Sequence, residues 1–500
     1  MSPPLSNPSP HSGGAADSSG NTAPDPPTAG AGAQPPAWKV LLALLSLSLS
    51  LLLWLDGLSG SLERPSVEQS LDRRQLELAV LVEDRLPSPL RQALVGEAPR
   101  QRLIEALEQA NATGTTPAPA ARRLELALLQ RAGAGGAAAA ETANRDLRDL
   151  IPSVEPARRS LLEALLAGRR LDGADQRALL QPWSPSPVLR QLSCEQLGGG
   201  TAADPCPADR SGSGRVLQLL AVTLLPLLLL LLGVGLLIRS LWQRLSGRQL
   251  PAPPLVGPPL SPVDVTLLIA GAFVLVGELL VPTLLEPPLK LLIHRLALSG
   301  PLAEGVRVLV LYLGLMVAPL GLLGLMLRGS PATIPAAGWL QWRWQPLASA
   351  ARQATRLLLM LLPAVALAGW LVGRVWGDPG GSNPLLELVL NSGSPWGLAC
   401  FALTAVVLAP LFEETLFRGV LLPVLGQRVG GTAAVLISAA VFALAHLSLG
   451  ELMPLFVLGI GLGLLRWYSG RLATSVIAHG LWNGLTFANL LLLANGPAWP

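Results

Sequence analysis

Glu413, Glu414 and Arg418 follow directly on the apolar run from Trp396 to Phe412, where an ionisable side chain is costly unless it is paired or hydrated. Helical spacing sorts the three. Glu414 and Arg418 are four residues apart and share a face, which suits an ion pair, while Glu413 is turned about 100° away. The arginine neutralises one carboxylate and leaves its neighbour available. Two of the chain's four histidines, His446 and His479, also fall in apolar stretches and need partners there. His479 and Asn483 are again four apart, so an imidazole and an amide project from one face. Phe442 lies four residues before His446 and is placed to stack beneath its ring.

Depth brings these groups to one level. Counted from the turn LGQRVGGT, Glu413 and His446 each lie roughly 20 Å along adjacent helices at 1.5 Å per residue. Counted from Arg471, His479 and Asn483 lie roughly 12 to 18 Å deep on the same rise. Four polar groups from three helices therefore converge on one intramembrane cavity. Glu413, shielded from bulk water, is a candidate general base toward a water molecule, with imidazole and amide donors to hold an oxyanion. His446, His479 and Glu413 are equally a candidate three-ligand zinc set with an open water position. A proton or metal-ion relay in a transporter is the rival chemistry. Glu278, in LVGELLV, is the one further acidic residue well inside another span, and its role stays open.

The elements that must position these residues follow from composition. The chain has 500 residues, 51% hydrophobic and only 14% charged, with a mean hydropathy of +0.49, too apolar for a water-soluble domain of this length. Apolar stretches long enough to cross a bilayer run at 37–55, 216–242, 263–285, 305–327, 357–376, 396–425, 432–449, 453–468 and 473–494. The expected fold is all-α, a polytopic membrane bundle of about nine transmembrane helices with a disordered N-terminal tail and a helical extramembrane insert. Residues 1–36, rich in Pro, Gly, Ser and Ala, cannot bury enough surface to order. Residues 37–55 form an uncleaved anchor, 56–215 an amphipathic helical region interrupted by the linker AGAGGAAAA, 216–242 a second span, 243–262 a Pro-rich linker, and 263–494 the functional core. PLKLLIHRLALSG reads as an amphipathic piece lying at the interface.

Positive residues fall on alternate sides of the spans. Arg239, Arg244 and Arg248, then Arg328, Arg343, Arg352 and Arg356, mark one side. They place the N-terminus in the cytoplasm and residues 56–215 outside it. The net charge of +4 is modest, so the expected partners are the lipid bilayer and a membrane-associated peptide or protein, lipidated or not, with no nucleic acid. Only three cysteines occur; Cys194 and Cys206 lie where a disulfide persists, and Cys400 reads as a small buried hydrophobe. Gly459 and Gly463 form a small-xxx-small pair suited to close helix packing.

Glu413, Glu414 and Arg418, Phe442 and His446, and His479 and Asn483 match, in order, the motifs E-E-x-x-x-R, F-x-x-x-H and H-x-x-x-N or D. At these positions the chain resembles the CPBP intramembrane protease family, which contains the type II CAAX prenyl endopeptidases and bacterial bacteriocin-immunity proteins. The resemblance covers roughly 263–493, with its motifs between Leu408 and Asn489. It implies an all-helical bundle with a cavity open toward the cytoplasm and endopeptidase activity in which Glu413 activates water, metal-dependent or not. A non-catalytic partner or immunity protein is the remaining alternative.

Overall fold

The computed structural model describes residues 35–494 apart from 65–66, 97, 114–119, 133–136, 184–185, 199–211, 248–252, 330–331 and 378–380. Most of the N-terminal tail and Cys206 therefore lie outside the described residues. Among the described residues there are helices and no strands. The helices used below are α1 (Ala37–Ser61), α2 (Val67–Val82), α3 (Ala120–Ala132), α4 (Pro187–Gln196), α5 (Ser213–Leu245), α6 (Pro262–Arg295), α7 (Gly300–Arg328), α8 (Leu347–Trp376), α9 (Pro384–Leu390), α10 (Pro395–Val429), α11 (Gly431–Leu444), α12 (Leu452–Ser469) and α13 (Leu472–Leu493).

Eight of these, α1, α5, α6, α7, α8, α10, α12 and α13, are long and apolar enough to cross a membrane. The ninth expected span is present only as the 14-residue α11. It stops at Leu444 because the chain turns through Ala445 to Glu451, with Leu447 at a φ of 49°. PLKLLIHRLALSG behaves differently from its sequence reading. It is not a separate piece but continues the third span as one helix to Arg295, through Pro287 and Pro288. Membrane helices tolerate such prolines where neighbours re-satisfy the freed carbonyls. The linker expected at AGAGGAAAA is likewise shorter, since helix resumes at Ala137.

The motif residues Glu414, Arg418 and His479 are buried inside the bundle, as are Arg466 and Gln341 toward one end. The centre of the bundle is an aromatic chain in which Phe273 meets Phe412 edge to face at 5.7 Å, and Phe417 meets Phe442 at 5.5 Å. Leucines such as Leu41, Leu228 and Leu231 face outward, as lipid-facing positions do. A Cβ at Gly459 would stand 3.0 Å from Ala439, and one at Gly463 3.2 Å from Val435. The small-xxx-small pair thus lets α12 lie close on α11 within one chain.

Residues after α1 form a helical module with its own core of fully buried leucines, including Leu103, Leu124, Leu128, Leu147 and Leu161. Cys194 is disulfide-bonded, and Cys400 is a free thiol. The module seats on one end of the bundle, where Leu78, Ala79 and Val82 of α2 share a cluster with Leu219 and Val222 of α5 and Leu490 and Leu493 of α13. At the far end the Pro-rich segment is packed down rather than free: Pro253 sits on Gly470 and Gly257 on Pro423. Gln341, buried in the segment between α7 and α8, accepts from Arg466 Nη2 at 2.8 Å and from the Leu472 amide through its own carbonyl at 2.9 Å.

Candidate active site

α10 leaves regular α-geometry twice, with wider π-helical turns at 403–408 and 415–421 on either side of the two glutamates. Such turns recur at functional sites because they rotate side chains out of register. Arg418 is fully buried. Its Nη1 donates to Glu414 Oε1 at 2.8 Å and its Nη2 to the Gly459 carbonyl at 3.1 Å, and its guanidinium carbon lies 4.3 Å from the Phe442 ring centroid. The ion pair expected from the four-residue spacing is present. Glu414 is therefore committed to structure.

Glu414 also fixes His479. The imidazole Nδ1 donates to Glu414 Oε1 at 2.9 Å, because a carboxylate already held by an arginine only accepts. His446 Nδ1 donates to the Phe442 carbonyl at 2.8 Å, with the two rings 4.7 Å apart. In each imidazole these bonds place a proton on Nδ1 and leave Nε2 turned toward Glu413. Both Nε2 atoms lie 3.9 Å from Glu413 Oε2. That oxygen is buried and has no partner of its own. Both ring nitrogens thus approach the same carboxylate oxygen.

What fits there follows from the distances. A water molecule about 2.8 Å from each atom spans separations of 3.9 Å comfortably. Tetrahedral zinc, with bonds near 2.0 to 2.1 Å, holds its ligand atoms only about 3.3 to 3.4 Å apart. The donor types suit zinc and the spacing does not, and among the described residues no group of three His, Cys, Asp or Glu has the arrangement of a metal site. Asn483, half-buried, donates its Nδ2 to the Ala405 carbonyl in the first π-turn at 2.8 Å, which leaves one amide N–H free.

Three residues with no motif around them complete the site. Tyr312 of α7 donates its hydroxyl to Glu413 Oε1 at 3.2 Å, so the two oxygens of Glu413 have different neighbours. Glu278 of α6 lies within Coulombic reach of both Glu413 and Tyr312 and takes the indole N–H of Trp54 at 3.4 Å. The only advance signal was the carboxylate of Glu278 in an apolar run; nothing in the local sequence distinguishes Tyr312 or Trp54. Just outside the spans, burial pushes the Glu451 carboxyl upward, while the Asn383 amide bonded to it and nearby His446 act the other way. Beside the site, Met316, Leu320 and Leu323 of α7, with Leu340, Leu411 and Phe412, line an apolar cavity of ≈ 370 Å³.

Comparison with known proteins bears on two parts of the chain. Residues 395–485 match the family described as type II CAAX prenyl endopeptidase Rce1-like. Residues 68–216 match a domain of unknown function (DUF8675). No curated protein and no solved structure matches the chain. The Rce1-like segment contains every residue of the three motifs and none of Trp54, Glu278 and Tyr312.

Proposed function

We propose, starting from the Rce1-like, CPBP-type intramembrane protease domain that the chain carries at 395–485, that this integral membrane protein hydrolyses a peptide bond of a membrane-associated substrate with water activated by Glu413. One observation carries the reading: the unpartnered Oε2 of Glu413 faces both imidazole Nε2 atoms at 3.9 Å. Three acceptors around one water need three hydrogens, two from the water and a third as a proton held on one imidazole. Glu413 takes a proton from the water as its oxygen adds to the scissile carbonyl carbon. The carbonyl oxygen becomes an oxyanion, held by the protonated imidazole and the free amide N–H of Asn483. The intermediate collapses, the C–N bond breaks, and Glu413 returns its proton to the leaving amine. Water is consumed, and a carboxylic acid and an amine are released.

Glu414 and Arg418 touch no reacting atom in this scheme and act by holding His479. Tyr312 fixes the orientation of Glu413. The apolar cavity beside Phe412 receives hydrophobic substrate chain, lipid-modified or not. No step runs through a metal.

The test compares wild type with Glu413→Gln in proteoliposomes, following release of new N-termini from a panel of membrane-inserted peptides and, separately, ion flux. Glutamine cannot take the proton, so cleavage should drop by roughly 10²- to 10⁴-fold. Undiminished cleavage would remove Glu413 from its role. Flux that depends on Glu413 without any cleavage would instead establish the transporter reading.

A further inference from the structure

The turn that carries His446 is held from outside the Rce1-like segment. Leu447, the next residue, stands at a φ of 49°, a left-handed conformation that a branched side chain adopts only when its surroundings impose it. Those surroundings are the end of α1 and the residues just after it. Arg64 donates through Nη2 to the Leu447 carbonyl and, at 3.4 Å, to the Gly57 carbonyl. Ser61 Oγ accepts the Leu449 amide at 3.2 Å. At Gly57 a Cβ would come within 2.9 Å of the Leu447 side chain, so the glycine admits that leucine against the helix backbone. The same short stretch is pinned on its other side, where the Gly381 amide donates to the Arg64 carbonyl at 2.9 Å and the Val67 amide to Ser382 Oγ at 2.9 Å.

We propose that the end of α1 and the residues just after it, from Gly57 to Arg64, form a positioning strap that sets His446 over Glu413 and ties that imidazole to the helical module beginning at α2. Each contact has its physical part. Beyond Leu444 the chain is tied to the helix only by single-turn bonds, from the His446 amide to the Ala443 carbonyl at 3.2 Å and from the Leu447 amide to the Leu444 carbonyl at 3.1 Å, and the contacts from Gly57, Ser61 and Arg64 add to these. The Phe442 carbonyl orients the ring of His446, and the strap fixes the backbone on which the ring rides. Arg64 suits the task because a charged donor bonds a partly buried carbonyl more strongly than a neutral donor does. The proposal rests on the endopeptidase reading for the work His446 does, whereas the position of the ring can be read without any hydrolysis.

The experiment uses the full chain in lipid nanodiscs with ring-¹³C-labelled histidine, of which there are four to resolve, His446 and His294 being assigned by single His→Gln variants. Arg64→Ala and Gly57→Val should each shift or broaden the His446 ring signal and leave that of His294 in place. Arg64→Lys, which keeps a charged donor, should restore most of the wild-type position. On a membrane-inserted quenched fluorescent peptide that wild type cleaves, Arg64→Ala should lower kcat roughly tenfold to a hundredfold with KM within about twofold. An unmoved His446 signal in both folded variants overturns the strap. So does a disturbance that spreads equally to His294 or that Arg64→Lys shows undiminished, because either marks general loosening. If no peptide in the panel is cleaved, the endopeptidase reading fails while the ring signal still decides the strap.

Discussion

Replacing Arg418 by methionine isolates what the buried ion pair does for the fold. Guanidinium and Glu414 carboxylate are both fully buried and 2.8 Å apart. Methionine keeps much of the apolar stem but leaves Glu414 charged, with only the His479 Nδ1–H as partner. Stranding one member of such a pair costs about 3 to 5 kcal/mol, a large part of the roughly 5 to 15 kcal/mol that holds a typical domain folded. Glu414→Gln alone should be costly for the mirror reason, since it strands the guanidinium. The double variant Glu414→Gln/Arg418→Met leaves no stranded charge, and it should be at least about 2 kcal/mol more stable than the sum of the single losses predicts. Denaturant titration in mixed micelles, read by tryptophan fluorescence, measures all four proteins. Losses that add to within about 0.5 kcal/mol would refute the pairing, because contacting residues that share a network do not add.

Tyr312→Phe removes the hydroxyl that holds Glu413 Oε1; kcat should drop about tenfold, the equivalent of one hydrogen bond of about 1.4 kcal/mol, with the folded fraction unchanged by circular dichroism. Glu125 of α3 is buried beside Glu77 of α2, with only Ser186 Oγ bonded to it, and burial, reinforced by the Glu77 charge, pushes its carboxyl up to about 7 from 4.5. The folded module therefore binds a proton that the unfolded chain releases between those values, so its stability is greatest near pH 4.5 and falls as pH rises toward 7, by on the order of 3 kcal/mol. Glu125→Gln should flatten that slope in thermal melts at pH 5 and pH 8. Purified protein should carry well under one zinc per chain by elemental analysis and keep its cleavage rate in chelator; stoichiometric zinc whose removal abolishes cleavage would reverse that expectation.

The polar motifs were legible because their contacts are local. Glu414 and Arg418, Phe442 and His446 each meet across one helical turn, which the 3.6-residue period dictates whatever the tertiary fold. The apolar runs likewise announced their helices, since length and hydropathy are the requirements of the bilayer itself. What escaped were contacts between distant segments. Tyr312 is 101 residues from Glu413, and Trp54 is 224 from Glu278; an aromatic in an apolar helix looks the same whether it meets lipid or a carboxylate. Helix ends escaped for a related reason. Pro287-Pro288 looked like a boundary and α6 runs through it, whereas α11 stops within an unbroken apolar stretch, at a turn that Arg64 meets from a distant part of the chain.

The brevity of α11 has to be made up by other parts of the chain. Fourteen residues rise about 21 Å, against a hydrocarbon slab of about 30 Å. The turn at residues 445–451 is met there by the chain itself, through Arg64 and Ser61 on one side and the Asn383 amide on Glu451 on the other. Segments that precede α2 and α9 thus take up the length that the short helix lacks beside His446, and the wall of the site there is built from three distant parts of the chain.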